Sequence, residues 1–187
     1  MPFLFCLIFI TNPVMTVIID LRNYPKNIGA SEIVKRLYPE KTTFLKALKS
    51  IEPPYGDFVS NTALSIINNP FEAGKSHKAY FKGKVVLLVD QTTVSKAAWM
   101  GMNIQASPNC ITIREQTFGA VMNRNQILFI DGTTIDFTGA GAGAGAFYLN
   151  DQSVQRKDLK LDYEIKESSL QDDNNLYIEK ATKLIDQ

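Results

Sequence analysis

The sequence predicts a mixed α/β fold built around a buried strand that turns into a helix. Lys84 to Asp90 (KVVLLVD) is a continuous apolar run bounded by Gly83 and Asp90, the pattern of a strand buried on both faces. After Gln91-Thr92-Thr93-Val94 comes Ser95 to Gln105 (SKAAWMGMNIQ), rich in Ala and Met, which reads as a helix. Thr16 to Ile19 (TVII) is a second β-branched run, and it stops at the polar stretch Asp20-Leu21-Arg22-Asn23-Tyr24-Pro25. With 187 residues, 45% of them hydrophobic, the chain is long enough for one domain with a real core.

Met1 to Ile10 (MPFLFCLIFI) and Val14 to Ile19 are two apolar stretches separated by Thr11-Asn12-Pro13. A spanning helix needs about 20 continuous apolar residues, so this segment is too short to cross a membrane. It has the length of a signal-peptide apolar region but lacks a basic start and a clear small-residue cleavage site. The expectation is a buried strand or a start codon placed upstream of the domain, with Met15 as an alternative start. Residues 1–16 are then a leader or misplaced start, and 17–187 the domain. An export signal would place the protein in the periplasm or cell envelope; without one it would be cytoplasmic.

Ser31 to Leu37 offers an N-cap serine and Ile33, Val34 and Leu37 at helical spacing, and Thr43 to Ile51 repeats that pattern less cleanly beyond Pro39. Residues 53–84, rich in Pro, Gly, Asn and Lys, show no period and read as an excursion decorating the core. Asn109 to Arg114 is another short strand, and Gln126 to Ile130 with Thr134 to Phe137 form a hairpin around Asp131-Gly132. Gly139 to Ala146 (GAGAGAGA) lacks the Lys-Ser/Thr of a phosphate loop and reads as a glycine-lined loop. Asn175 to Ile185 is a last amphipathic helix, with Leu176, Ile178, Ala181, Leu184 and Ile185 on one stripe.

The net charge of +1 gives no electrostatic footprint for nucleic acid or an anionic membrane. Two cysteines, Cys6 and Cys110, and one histidine, His77, are too few for a zinc site or a disulfide framework. No cofactor and no metal are expected.

Ser95 stands at the junction of a buried strand and a helix. Amides at a helix N-terminus can hold a developing oxyanion, so a serine there is favourably placed as a nucleophile. A serine before a helix is also the commonest N-cap, and spacing alone leaves both readings open. A nucleophile needs a base. His77, within Lys75-Ser76-His77-Lys78, reads as a solvated loop histidine, and Lys96 diverges from Ser95 on the helix.

Several blocks in order resemble the tail-specific, or carboxyl-terminal processing, serine peptidases. They are Asp20-Leu21-Arg22-Asn23-Tyr24-Pro25 after a buried strand, Gly83 to Val89 leading to Thr93-Val94-Ser95-Lys96-Ala97-Ala98, and Gln116-Thr117-Phe118-Gly119. Phe137-Thr138-Gly139, Phe147-Tyr148, Gln155-Arg156 and Asp162-Tyr163-Glu164-Ile165 resemble a Bacteroidetes-type branch of that family. The resemblance runs from about Val17 to the C-terminus. It implies a crotonase/ClpP-like core of stacked sheets and helices, a polypeptide substrate, and Ser95 as the acyl-enzyme nucleophile. It also implies an oxyanion hole of backbone amides from Lys96 and from the loop around Asn23 to Lys26, with Tyr24 as the donor there.

The sequence departs from the family where a base should stand. The best-known members carry lysine in a Thr-Phe-Gly-Lys block, and this chain has Thr117-Phe118-Gly119-Ala120; Ala98 replaces a glutamate many members carry soon after the serine. A histidine-using branch places that residue upstream of the Asp-Leu-Arg strand, near which this chain begins. The expectation is therefore a core incomplete at its N-terminal side, whose base comes from an upstream segment, a partner subunit or an unidentified side chain. The alternative is a truncated or degenerate member that keeps the fold and peptide binding without turnover.

Overall fold

The structure, a computed structural model, describes residues 6–11, 14–25, 29, 33–50, 64–73, 80–121, 124–138, 145–149, 152–153, 157, 159–165, 178–179 and 181–183. His77 and Gly139 to Ala144 lie outside the described residues, as does much of Asn175 to Ile185.

Strands β1 (Cys6–Thr11) and β2 (Val14–Asp20) form an antiparallel pair. Beyond β3 (Thr42–Ser50) and β4 (Leu64–Ala73) comes β5 (Lys84–Val89), which pairs in parallel with β2 on one side and with β6 (Cys110–Arg114) on the other. A short strand, β11 (Tyr163–Glu164), completes a five-stranded sheet of order β1-β2-β5-β6-β11. The connection from β5 to β6 is helix α1 (Lys96–Gln105), the crossover that a parallel pair requires.

The apolar run of β5 is explained by two cores. Val85, Leu87 and Val89 face one side and pack with Ile19, Leu21, Val34, Tyr38, Ala98, Met100 and Ile104. Val86 and Leu88 face the other and pack with Ile18, Ile113, Ile165 and Ala181. Period-two alternation thus sends alternate side chains into separate layers, and neither face meets water. Ala181 lies in the one described stretch of the C-terminal amphipathic segment, which is helical at 178–179 and 181–183. Among the described residues no helix is long and apolar enough to cross a membrane.

Three expectations need correction. Thr43 to Ile51, with Leu45 and Leu48 at a helix-like interval, lies almost wholly in β3, because it pairs on both sides, with β4 and with β9 (Gly145–Leu149). Two ladders override a weak helical period. The excursion at 53–84 contains β4, which is the edge of a four-stranded antiparallel sheet of order β10-β9-β3-β4, β10 being Gln152–Ser153. An edge position and a shifted register between Lys46 and Leu48 accommodate Pro70 opposite Lys46. Gly145 and Ala146, the end of the Gly-Ala run, belong to β9 rather than to a loop. Around Ser31 to Leu37 the described helical part is a single turn, in which the Arg36 and Leu37 amides donate to the Ile33 and Val34 carbonyls.

The hairpin forms as expected from β7 (Arg124–Leu128) and β8 (Thr134–Thr138), with Gly132 at φ 85 supplying the left-handed turn residue.

Gly83 enters β5 where the chain passes the carbonyl of Met15. A Cβ there would lie 1.8 Å from the Met15 oxygen, a backbone atom that cannot turn aside. Gly83→Ala is therefore expected to cost about 3 kcal/mol or more, read as a shift in the urea midpoint at unchanged slope.

Tyr38 and Cys110 lie near the C-terminal half of α1, where the Tyr38 hydroxyl donates to the Asn103 carbonyl. Burial pushes the Cys110 thiol up to about 12, partly offset by a hydrogen bond with Thr112 and reinforced by the charge of Asp162. Burial, and then the charge of Cys110, likewise raises the Tyr38 phenol above its usual range. Both groups hold protons more tightly folded than unfolded. Their contribution is complete below the ordinary thiol value near 9 and is lost as pH climbs toward 12. Melting temperature is expected to fall through that window, and less steeply in Cys110→Ala.

Candidate active site

β2 and β5 are adjacent and parallel, so their C-terminal ends open on the same edge, where open α/β sheets bind ligands. β2 ends in Asp20 and β5 is followed by Asp90, and each aspartate closes a turn on itself. Asp20 Oδ1 accepts the Arg22 amide at 3.0 Å, and its carboxylate is gripped by the guanidinium at 2.8 Å from Nε and 2.5 Å from Nη2. Asp90 Oδ1 accepts the Thr92 amide at 2.8 Å, and the Thr93 amide donates to the Asp90 carbonyl at 2.9 Å. These are the local side-chain to backbone bonds by which Asp favours turns. The carboxylate after β6 is different: Glu115 has one oxygen, Oε1, buried with no hydrogen-bond partner.

The turn after β5 delivers Ser95 in a rare backbone conformation, φ 53 and ψ −117, the one non-glycine residue with positive φ among the described residues. Such a conformation costs about 1–3 kcal/mol and survives only where its surroundings hold it. Here the Ser95 amide donates to the Ala120 carbonyl at 2.5 Å, and its carbonyl accepts the Trp99 amide at 2.9 Å as the helix begins. Ser95 occupies the N-cap position, yet its side chain makes no capping hydrogen bond. The N-cap reading thus accounts for its place but not for its hydroxyl, which stands at an exposed position. A strained turn between strand and helix is one way in which hydrolases of another fold expose a serine hydroxyl above a sheet.

The segment 116–120 is brought to this serine. Gly119 takes φ 68, which reverses the chain so that Ala120 can meet Ser95. Thr117 is buried and its hydroxyl accepts the Leu159 amide at 3.2 Å, while Phe118 is 73% exposed. Ala120, the residue after that glycine, is thereby a backbone neighbour of Ser95. Lys96 is the first residue of α1. Tyr24 is exposed in the loop after β2, and His77 lies outside the described residues.

Sequence reasoning passed over Thr92 and Thr93. The Thr93 hydroxyl accepts the Asp90 amide at 3.0 Å and donates to the Leu21 carbonyl at 3.1 Å. The Thr92 hydroxyl lies 2.5 Å from the Arg22 carbonyl and 2.6 Å from Asp90 Oδ1. The Asp-x-Thr-Thr spacing signals a turn, but nothing local signals a bond to a residue some seventy positions away.

No protein-family model matches the chain, and no curated protein matches it in sequence. Solved structures do. A candidate peptidase from Parabacteroides merdae superposes with a TM-score of 0.66 at 12% identity, over 91% of this chain and 61% of that one. The photosystem II D1 carboxyl-terminal processing protease gives 0.53 at 14% identity, over 92% of this chain and 39% of that one. A lipoprotein from Streptococcus agalactiae gives 0.53 at 13% identity, over 91% and 54%. The chain spans 61% or less of each of these proteins. At such identities the likeness shows the fold: a mixed α/β domain of the kind found in these peptidases.

Proposed function

We propose that the chain is the catalytic domain of a serine-type peptidase acting on polypeptides. Ser95 Oγ attacks the carbonyl carbon of a peptide bond, and the resulting oxyanion is held by the backbone amides of Lys96 and Tyr24. The C–N bond then breaks, the serine proton goes to the leaving amine, and water releases the acyl group as a carboxylate. Donors held on two separate elements, a helix start and the loop after a strand, are the arrangement such stabilisation needs.

The observation that carries this reading is the strained backbone of Ser95 combined with a hydroxyl not used for capping. The proton acceptor is assigned to a group outside the described residues, on a further segment, a partner subunit or His77. A test is the digestion of an unfolded substrate such as β-casein by the folded chain and by Ser95→Ala. Cleavage by the wild type alone is expected. Equal cleavage by both would overturn the reading, as would a folded wild type that neither cleaves the substrate nor takes a fluorophosphonate label on Ser95.

A further inference from the structure

Two loops meet at the proposed site, one following β2 and one following β5, and nothing in strand pairing fixes how they sit relative to each other beyond the last ladder bond, from the Leu21 amide to the Leu88 carbonyl at 3.0 Å. The threonine hydroxyls continue that ladder past the strands. Thr93 is fully buried two residues before Ser95, and it bonds the Leu21 carbonyl while its own oxygen accepts the Asp90 amide. The peptide between Leu21 and Arg22 is thereby held on both sides, its carbonyl by Thr93 and its N–H by Asp20 Oδ1. The carbonyl of the next peptide lies 2.5 Å from the Thr92 hydroxyl, which shares its one proton between that oxygen and Asp90 Oδ1. Because peptide units are planar, two successive fixed carbonyls set the direction in which the chain departs toward Asn23 and Tyr24.

We infer that Thr93, assisted by Thr92, is a positioning residue that clamps the Asp-Leu-Arg loop to the nucleophile turn, keeping the two donors of the oxyanion hole at a working separation. The inference rests on the peptidase reading above. Thr93 touches neither substrate nor the reacting atoms. It acts through backbone geometry, where a misplacement of about 1 Å can cost a factor of about 100 in rate. A methyl in place of the hydroxyl keeps the shape and removes both bonds, whereas serine keeps them.

The test compares wild type, Thr93→Val, Thr93→Ser and Thr92→Val. A fluorophosphonate probe reads the maximal labelling rate of Ser95 separately from probe affinity, and hydrogen exchange reads the loop. Thr93→Val is expected to lower the maximal rate about 10–100-fold with little change in affinity. Its Arg22, Asn23 and Tyr24 amides should exchange at least about tenfold faster, with those of Val86 to Val89 unchanged. Thr93→Ser should stay within about threefold of wild type, and Thr92→Val, at an exposed position with less to lose on folding, should show a smaller loss in the same direction. A labelled wild type with Thr93→Val equally fast, or Thr93→Ser as slow as Thr93→Val, would refute the clamp and leave the nucleophile standing. A folded wild type that takes no label would instead refute the nucleophile reading, and the positioning role with it.

Discussion

Replacing Ser95 by glycine is expected to stabilise the fold by about 1 kcal/mol while abolishing its chemistry. The φ of 53 at ψ −117 places Ser95 where a Cβ is strained, at about 1–3 kcal/mol, and glycine removes that strain at an entropic cost of about 0.5–1 kcal/mol. The position is exposed and the hydroxyl makes no capping bond, so neither a cavity nor a lost cap offsets the gain. Ser95→Ala keeps the Cβ and hence the strain, and its stability should stay within about 0.5 kcal/mol of wild type. Both variants lose the proposed nucleophile, and removal of a catalytic serine costs on the order of a million-fold in turnover where a full catalytic unit is present. Denaturant titration of the pair therefore separates strain from chemistry. A protein stabilised by losing a residue is one in which that residue was kept for function.

Ala120→Lys is expected to raise the rate of Ser95 acylation by about 100- to 10,000-fold, the usual contribution of a positioned general base. The argument is one of place. The Ala120 carbonyl receives the Ser95 amide at 2.5 Å, so residue 120 is a backbone neighbour of the nucleophile despite lying far along the chain. Ala120 is also partly buried, and burial lowers the pKa of an introduced amine, leaving more of it neutral and able to take the serine proton. The labelling rate of Ala120→Lys should consequently gain a rising limb with pH that Ala120→Gln lacks. A lysine variant no faster than the glutamine variant would show that side chains at 120 do not face the hydroxyl.

What the sequence made legible was whatever is written in consecutive residues. The strand Lys84–Val89 and the helix after it are plain because each is buried along most of its length and neither depends on a distant partner for its period. β3 is ambiguous in sequence because Leu45 and Leu48 satisfy a helical spacing as well as a strand, and the choice is made by β4 and β9. β4 was hidden by Asn68, Asn69 and Pro70, residues that punctuate most strands but are tolerated at a sheet edge. At the proposed site, the strand-to-helix junction singles out Ser95, and resemblance singles out the block at 116–120. Nothing local singles out the clamp through Thr92 and Thr93, because the acceptors are backbone carbonyls and any residue type at 21 and 22 would supply them.

The central claim, that Ser95 is a nucleophile held ready by its turn, is tested most directly by locating a covalent adduct. The folded wild type is treated with a fluorophosphonate, whose phosphorus bonds to the attacking oxygen as fluoride leaves, and the modified peptide is sequenced by mass spectrometry. The account predicts a single adduct on Ser95, absent from Ser95→Ala and from protein unfolded in urea. An adduct on another serine, or labelling that survives unfolding, would contradict it.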